Sequence, residues 1–459
     1  MPRSRARQAW ITAFVVIAFL PAILRALSPE RQLLGPEIIT ITGLLATVLL
    51  VTTVVLPSRL RSLTRAFGIE TVLRHHRSLG MATALSTLAH VAAVLANDPR
   101  GVGLLLPFLN PRAPAYTTAP IPLLTPLLTP PGRALFGLIA AACLVGLAAL
   151  SARRTGSWER WRFWHLGAAV GALLGTALHI LLIGHLLPTP AVLNLLLGDP
   201  LGWTTLRAAT QDPLAAGFLV LLALVVLVGA VRRWAFRPAA FRVVKIGPVA
   251  ENVTSIVLRP LGRGFRFRPG QFIWLRLAKS QLLSEEHPFT LSSATQDRPT
   301  IELTIKDTGN WTARLRRLRP GDLVYVDGPH GSFTPNLKSR RGLVMICGGV
   351  GITPMMSMLR SAAGTGSIRS YRLILTDRPG QGLFRDELTQ LMTRLDLLPY
   401  ELAGRRLSPE VLGEMLPPPV LRNQLDYYVC GPPRLVREAV AALDTLEVPA
   451  RRIHTELFE

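Results

Sequence analysis

The rhythm of apolar positions divides the chain near residue 236. Before that point apolar runs continue for roughly the ~20 residues an α-helix needs to cross a bilayer; after it they are short and interrupted. Six long runs are predicted as membrane spans, at 10–27, 38–56, 73–95, 134–151, 163–187 and 214–231. The first has the basic start of a secretion signal, but its apolar run is long and no small-residue cleavage site follows, so it reads as a span.

Beyond residue 236 the pattern changes twice. "FRVVKIG", "TSIVLR", "QFIWLRL", "FTLSS", "TIELTIK" and "LVYVDG" are short β-type segments separated by turn signals, which predicts a small antiparallel β-barrel over 237–338. From 339 to 459, "LVMIC" leads into "GGVGITPMMSML", "YRLILT" precedes "RDELTQLM", and "DYYVCG" precedes "PRLVREAVAAL". Strand–helix alternation of this kind predicts an α/β domain with a parallel sheet. The expected chain is therefore a membrane all-α six-helix bundle (1–236), an antiparallel barrel and an α/β domain.

Net charge changes this picture only through its distribution. A value of +23 would suit a nucleic-acid partner, but the arginines cluster at alternate ends of the spans. Arg3, Arg5 and Arg7 precede the first span; Arg59, Arg61, Arg65, Arg74 and Arg77 lie between the second and third. Arg153, Arg154, Arg160 and Arg162 separate the fourth from the fifth, and Arg232, Arg233 and Arg237 follow the sixth. This positive-inside bias predicts a multi-pass protein of the plasma (inner) membrane with both termini cytoplasmic, and it argues against nucleic acid. The three cysteines, Cys143, Cys347 and Cys430, form no C-x-x-C pair, which excludes a ferredoxin-type cluster and a disulfide framework.

Histidines supply the candidate chemistry. His76 and His90 on the third span are 14 residues apart, as are His165 and His179 on the fifth. At about 100° per residue this is about 40° short of four turns, so each pair shares a helix face with about 21 Å between its members. Both spans run in the same direction, so His76 lies level with His165 and His90 with His179. Two pairs at matching depth are what two six-coordinate haems require. Small residues line the same faces: Gly80, Thr83, Ser86 and Thr87 on one span, Ala168, Ala169, Ala172 and Gly175 on the other. They leave room for a flat macrocycle, and equally they let helices pack closely. His75 points about 100° away from His76. The neighbouring Arg74, Arg77 and Arg162 suit haem propionates or anionic lipid headgroups alike.

The glycines Gly348, Gly349 and Gly351 close a strand and open a helix, where free amides and the helix dipole suit a pyrophosphate. With "RPGQF" (268–272), "HPFTLSS" (287–293), "GPHGSF" (328–333), "GGVGITPM" (348–355) and "CGPP" (430–433), in that order, the second half resembles the ferredoxin–NADP reductase superfamily. With the six spans and paired histidines, the whole chain resembles the ferric reductase and NADPH oxidase family.

The resemblance implies FAD between the barrel and the nucleotide domain, NADPH or NADH, and two b-type haems held by His76, His90, His165 and His179. It implies a flavin site that includes Arg268, Pro269, Gly270 and Gln271. His287, Pro288, Phe289 and Thr290 would line the isoalloxazine, with Thr290 near its N5. Gly309, Trp311 and Thr312 of "KDTGNWT" would lie near the flavin diphosphate. Gly348, Gly349, Gly351, Thr353 and Pro354 would hold the nicotinamide dinucleotide, and Cys430, Gly431 and Pro432 would approach the nicotinamide. Phe458 would cover the flavin until nicotinamide displaces it, although here one residue, Glu459, follows the aromatic. Arg378, after the second nucleotide-domain strand, suits a 2′-phosphate or a solvated turn.

The expected activity passes electrons from cytoplasmic NAD(P)H through FAD, the inner haem (His76/His165) and the outer haem (His90/His179) to an extracytoplasmic acceptor. A ferric chelate is the expected acceptor, with an extracytoplasmic redox protein in the same class. Superoxide formation from oxygen is the alternative; it is weakened by Val94, where the oxidases commonly carry a histidine one turn beyond the outer ligand. A third reading makes the spans a mere anchor for a cytoplasmic flavin reductase. The proline-rich stretch 97–132 is too broken to span; it caps the outer haem or only connects two spans. The chain carries no D-x-D-x-D-G pattern for calcium.

Overall fold

The computed structural model describes residues 3–27, 34–58, 63, 67–97, 130–152, 158–183, 238–277, 285–335, 341–377, 382–402 and 404–458. The chain forms two compact units, Met1–Ala235 and Phe236–Glu459.

In the first unit the long apolar runs form α1 (Arg3–Leu27), α2 (Leu34–Val55), α3 (Ile69–Asn97), α4 (Pro130–Ala152) and α5 (Trp158–Ile183). Among the described residues four stretches are long and apolar enough to cross a membrane: Glu37–Val55, Thr71–Asn97, Leu135–Ala152 and Arg160–Ile180. The first predicted span falls on α1; the sixth, the end of the fifth and residues 98–129 of the outer stretch lie outside the described residues. Prolines set two of the helix ends. Pro57 follows α2, where it cannot continue the helical ladder, and Pro130 opens α4, where a missing amide costs nothing.

α2 packs on α3 and α4 on α5 through small residues. A Cβ on Gly171 would meet Cys143 Sγ at 2.8 Å, and one on Gly175 would meet the Phe136 carbonyl at 2.9 Å. Thr83 and Thr87 are buried, the Thr83 hydroxyl lying 3.2 Å from that of Thr53. Ala172 is enclosed by Leu50 and Leu144. Of the small stripes, then, Thr83, Ala172 and Gly175 serve close helix packing, and Gly80, Ser86, Ala168 and Ala169 stay half-buried. Phe163, Leu166 and Leu174 are exposed on α5, as lipid-facing residues are.

The second unit begins with six strands: β1 (Ala239–Ala250), β2 (Val253–Pro260), β3 (Phe272–Arg276), β4 (Glu286–Thr290), β5 (Ile301–Lys306) and β6 (Leu323–His330). Their order is β4-β3-β6-β1-β2-β5, with antiparallel neighbours. A bridge between Leu291 and Leu303 brings β4 round to β5, closing the sheet into a barrel without free edges. Alternate residues point inward, so Phe241, Ile256, Leu258, Ile273, Leu275, Leu303 and Val324 fill it. The short helix α6 (Asn310–Leu315) adds Trp311 and Leu315 to that core.

Next comes a five-stranded parallel sheet, β7 (Leu343–Cys347), β8 (Ser370–Leu375), β9 (Asp396–Glu401), β10 (Asp426–Gly431) and β11 (Ile453–Leu457), in the order β11-β10-β7-β8-β9. Helices α7 (Thr353–Gly364), α8 (Arg385–Met392), α9 (Pro409–Met415), α10 (Pro419–Arg422) and α11 (Pro433–Thr445) connect the strands. The chain leaves β7 toward β8 and β9, then returns to β10 and β11 on the other side. The crevice beyond the carboxyl ends of β7 and β10 is therefore the topological switch point, where open α/β sheets bind ligands.

Arg360 on α7 ties barrel to sheet. Its Nε and Nη2 donate to the two Glu387 oxygens at 2.6 and 2.7 Å, and its Nη1 donates at 2.8 Å both to Glu302 of β5 and to the Ser292 carbonyl. Ser357 and Ser361 add further bonds to Ser293 and Thr295 of the barrel.

Candidate functional site

The membrane helices bring the four histidines together in two facing pairs. His76 and His165 have ring centres 6.2 Å apart with planes at 67°, and His90 and His179 are 6.4 Å apart at 72°. A metal at about 2.0 Å from each Nε2, with about 1.1 Å from that nitrogen to its ring centre, sets the centres roughly 6.2 Å apart. The spacing is therefore what one ion bound by both rings demands. His75 is exposed, and the 14-residue partner of His90 is His76.

Ring orientation on α3 is fixed by α2. His76 Nδ1 lies 2.9 Å from the Thr53 carbonyl and His90 Nδ1 3.0 Å from the Ile39 carbonyl. A carbonyl only accepts, so both Nδ1 atoms carry the proton, and Nε2 keeps its lone pair for a metal. On α5, His165 stacks on Trp161 with ring centres 4.7 Å apart, and its buried Nδ1 has no hydrogen-bond partner among the described residues. Glycines clear the space around the outer pair. A Cβ at Gly43 would come within 3.0 Å of the His90 ring, and one at Gly137 within 2.8 Å of the His179 ring. Neither glycine is legible from sequence, because each belongs to a helix that carries no ligand. Among the described residues no cluster of three or more His, Cys, Asp or Glu side chains exists.

In the barrel, the turn Arg268–Gln271 is locked onto the loop after β6. Gln271 Oε1 accepts from the Arg268 amide at 2.8 Å, and Gln271 Nε2 donates to the Gly331 carbonyl at 3.2 Å. Gly270 needs its positive φ of 83°, and a Cβ there would overlap the Phe333 carbonyl. Pro269 precedes it in the same turn. Along β4, His287 and Phe289 share one face and lie against Trp311, at 4.3 and 5.7 Å between ring centres. Pro288 is exposed and Thr290 is buried. Thr312 Oγ1 accepts from the Thr308 and Gly309 amides at 3.1 and 3.0 Å and donates to Asp307 at 2.9 Å, so the turn entering α6 is pre-shaped.

At the switch point Gly348, Gly349 and Gly351 form a tight turn that leads into α7. Cβ atoms would meet Thr376 Oγ1 at 2.5 Å from Gly348 and the Cys430 carbonyl at 2.5 Å from Gly351. Thr353 and Pro354 open the helix, and Thr353 Oγ1 donates to the Val350 carbonyl at 2.8 Å. Gly431 and Pro432 leave β10 beside this turn, a Gly431 Cβ lying 3.6 Å from the Gly348 amide. The Cys430 side chain is buried in the same core as Cys347. Phe458 packs against that core, and its amide donates to the Gly431 carbonyl at 3.0 Å. Arg378 lies outside the described residues.

Asp377 is the residue here that sequence reading passed over. Its Oδ1 accepts from the Gly349 amide at 2.6 Å, and its buried Oδ2 has no hydrogen-bond partner among the described residues. Burial pushes its carboxyl above the ordinary range, the Gly349 bond opposes the shift, and nearby Glu401 adds to it. Burial, with Asp377 alongside, also pushes the Cys347 thiol well up, so it stays protonated and unreactive.

Comparisons with known proteins agree with this layout. The family model "Ferric reductase like transmembrane component" matches residues 42–176, "FAD-binding domain" 238–332 and "Oxidoreductase NAD-binding domain" 345–441. In that order they are the ferric reductase and NADPH oxidase architecture, a ferric reductase-like membrane component fused to a ferredoxin–NADP reductase-type module, and the chain belongs to it. The membrane component falls in the first compact unit, and the FAD- and NAD-binding domains fall in the second.

Among curated relatives, a flavohemoprotein of Bordetella pertussis is 28% identical over 48% of this chain and 60% of its own length. The ferredoxin–NADP reductase B of Sorangium cellulosum is 28% identical over 48% of this chain and 98% of its own. A solved FAD/NAD-binding domain of a nitric oxide dioxygenase from Vibrio cholerae is 25% identical, covering 48% of this chain and 99% of its own, at a TM-score of 0.44. The chain spans about three fifths of the length of the flavohemoprotein relatives it matches.

Proposed function

We propose that this chain is a transmembrane flavocytochrome b that oxidises cytoplasmic NAD(P)H and reduces an extracytoplasmic acceptor, of which a ferric chelate is the favoured class. The observation that carries the reading is the double histidine pair: four imidazoles at two depths of an apolar bundle, spaced for one metal per pair. Val94, standing where the oxidases commonly carry a histidine, supports ferric reduction over superoxide formation.

When bound, FAD would accept hydride as an electron pair and the two haems would carry single electrons across the lipid. The chain's own residues prepare for this in three ways. Thr53 and Ile39 hold the His76 and His90 rings with Nε2 available as the ligating atom. Arg268–Gln271, His287–Thr290, Gly309, Trp311 and Thr312 would frame the flavin, with Thr290 near its reactive nitrogen. Gly348, Gly349, Gly351, Thr353 and Pro354 would seat the dinucleotide, with Cys430, Gly431, Pro432 and Phe458 at its nicotinamide end and Arg378 at a 2′-phosphate. The arginine bias along the sequence supports a plasma membrane protein with both termini in the cytoplasm.

The test is dye reduction by the purified protein supplied with NADPH or NADH. Reduction of a ferric chelate that is insensitive to superoxide dismutase supports the reading. Dye reduction abolished by that enzyme would assign the alternative, an NADPH oxidase.

A further inference from the structure

The two α3 ligands are served unequally by α2, and the cause is in the sequence. Thr53 and Ile39, whose carbonyls receive the two Nδ1 protons, are themselves 14 residues apart, matching the 14 between His76 and His90 on the antiparallel neighbour. In an α-helix each carbonyl accepts from the amide four residues on. For Ile39 that residue is Gly43, which has an amide, and the Thr42 hydroxyl, which donates to the Ile38 carbonyl at 2.7 Å, also reaches the Ile39 carbonyl at 3.0 Å. For Thr53 it is Pro57, which has none. The inner ligand therefore meets a carbonyl that lacks its helical donor, and the outer ligand meets one with other claims on it.

We propose that Pro57 is a positioning residue: by withholding an amide from Thr53 it reserves that carbonyl for His76, and so lowers the reduction potential of the inner haem. The step rests on the di-haem reading above. A stronger Nδ1–H bond makes an imidazole a more electron-rich ligand and stabilises the oxidised metal. His90 shares its acceptor and also has Thr42 Oγ1 at 3.2 Å from the same nitrogen, so its bond to Ile39 is the weaker.

The experiment is a redox titration of the full-length protein, followed by its visible spectrum, with haem first counted per chain. In the wild type two haems titrate as separate centres. In Pro57→Ala the restored amide competes for Thr53, so one centre moves upward while the other stays. Thr42→Val is the counterpart and moves only the centre that Pro57→Ala leaves in place. Loss of the inner haem alone in Pro57→Ala also supports the assignment. Equal movement of both potentials, no movement, or loss of both haems would mean that Pro57 only ends α2, and would overturn it. A wild-type protein without haem is a different result, since it removes the di-haem reading beneath the proposal.

Discussion

At the scale of single residues, the arrangement depends on atoms with one available role. The Thr53 carbonyl forces a proton onto His76 Nδ1, so exchanging His76 for alanine removes both a ligand and the contact that orients it. Alanine at His76 or His165 is predicted to leave one haem per chain, the outer, as counted by pyridine haemochrome. Asp377 makes a second prediction. Its carboxyl is held above the usual value chiefly by burial, so its charged form is disfavoured in the fold. That cost is present above the ordinary carboxylate pKa and disappears as pH falls below it. Asp377→Asn keeps an acceptor for the Gly349 amide and should raise the Tm at pH 7 by about 1–3 °C. The gain should vanish below about pH 4; a gain that persists there would contradict the assignment. Gly351→Ala would force a methyl against the Cys430 carbonyl at 2.5 Å, and is predicted to raise the KM for NAD(P)H with little change in FAD content.

At the scale of elements, Arg360 is the principal tie between barrel and sheet. Its side chain is only 15% exposed, and removing it strands Glu387 and leaves Glu302 with the Ser255 hydroxyl. Arg360→Ala should cost about 2–4 kcal/mol in urea unfolding, and Arg360→Lys should recover only part because an ammonium cannot match the fork. Elements with a strong period were legible in sequence: five of the six barrel strands, and β7, β8 and β10, stand where short β-type runs predict them, whereas β4 begins before "FTLSS" and shares only Phe289 and Thr290 with it. β9 was not, because "DLLPYE" carries a proline and scarcely alternates, and both are tolerated on the sheet edge that it forms. β11, the opposite edge, is a five-residue strand whose only signal is its pairing with β10. The histidine spacing was legible for a geometric reason, that 14 residues nearly complete four turns. The parts α2 plays through Thr53, Ile39 and Gly43 were not, since backbone carbonyls and a helix–helix approach leave no mark on side-chain pattern.

The whole molecule joins a membrane unit with two histidine pairs to a second unit whose parallel sheet has a topological switch point. The central claim is that the pairs hold haem. Haem counted in the purified full-length protein, together with its reduced-minus-oxidised and low-spin spectra, tests that claim most directly. Two bis-histidine haems per chain are predicted, falling to none when all four histidines are alanine, with reduction across sealed vesicles lost in step. A colourless protein from haem-replete cells, or trans-bilayer reduction that survives the fourfold replacement, would contradict it.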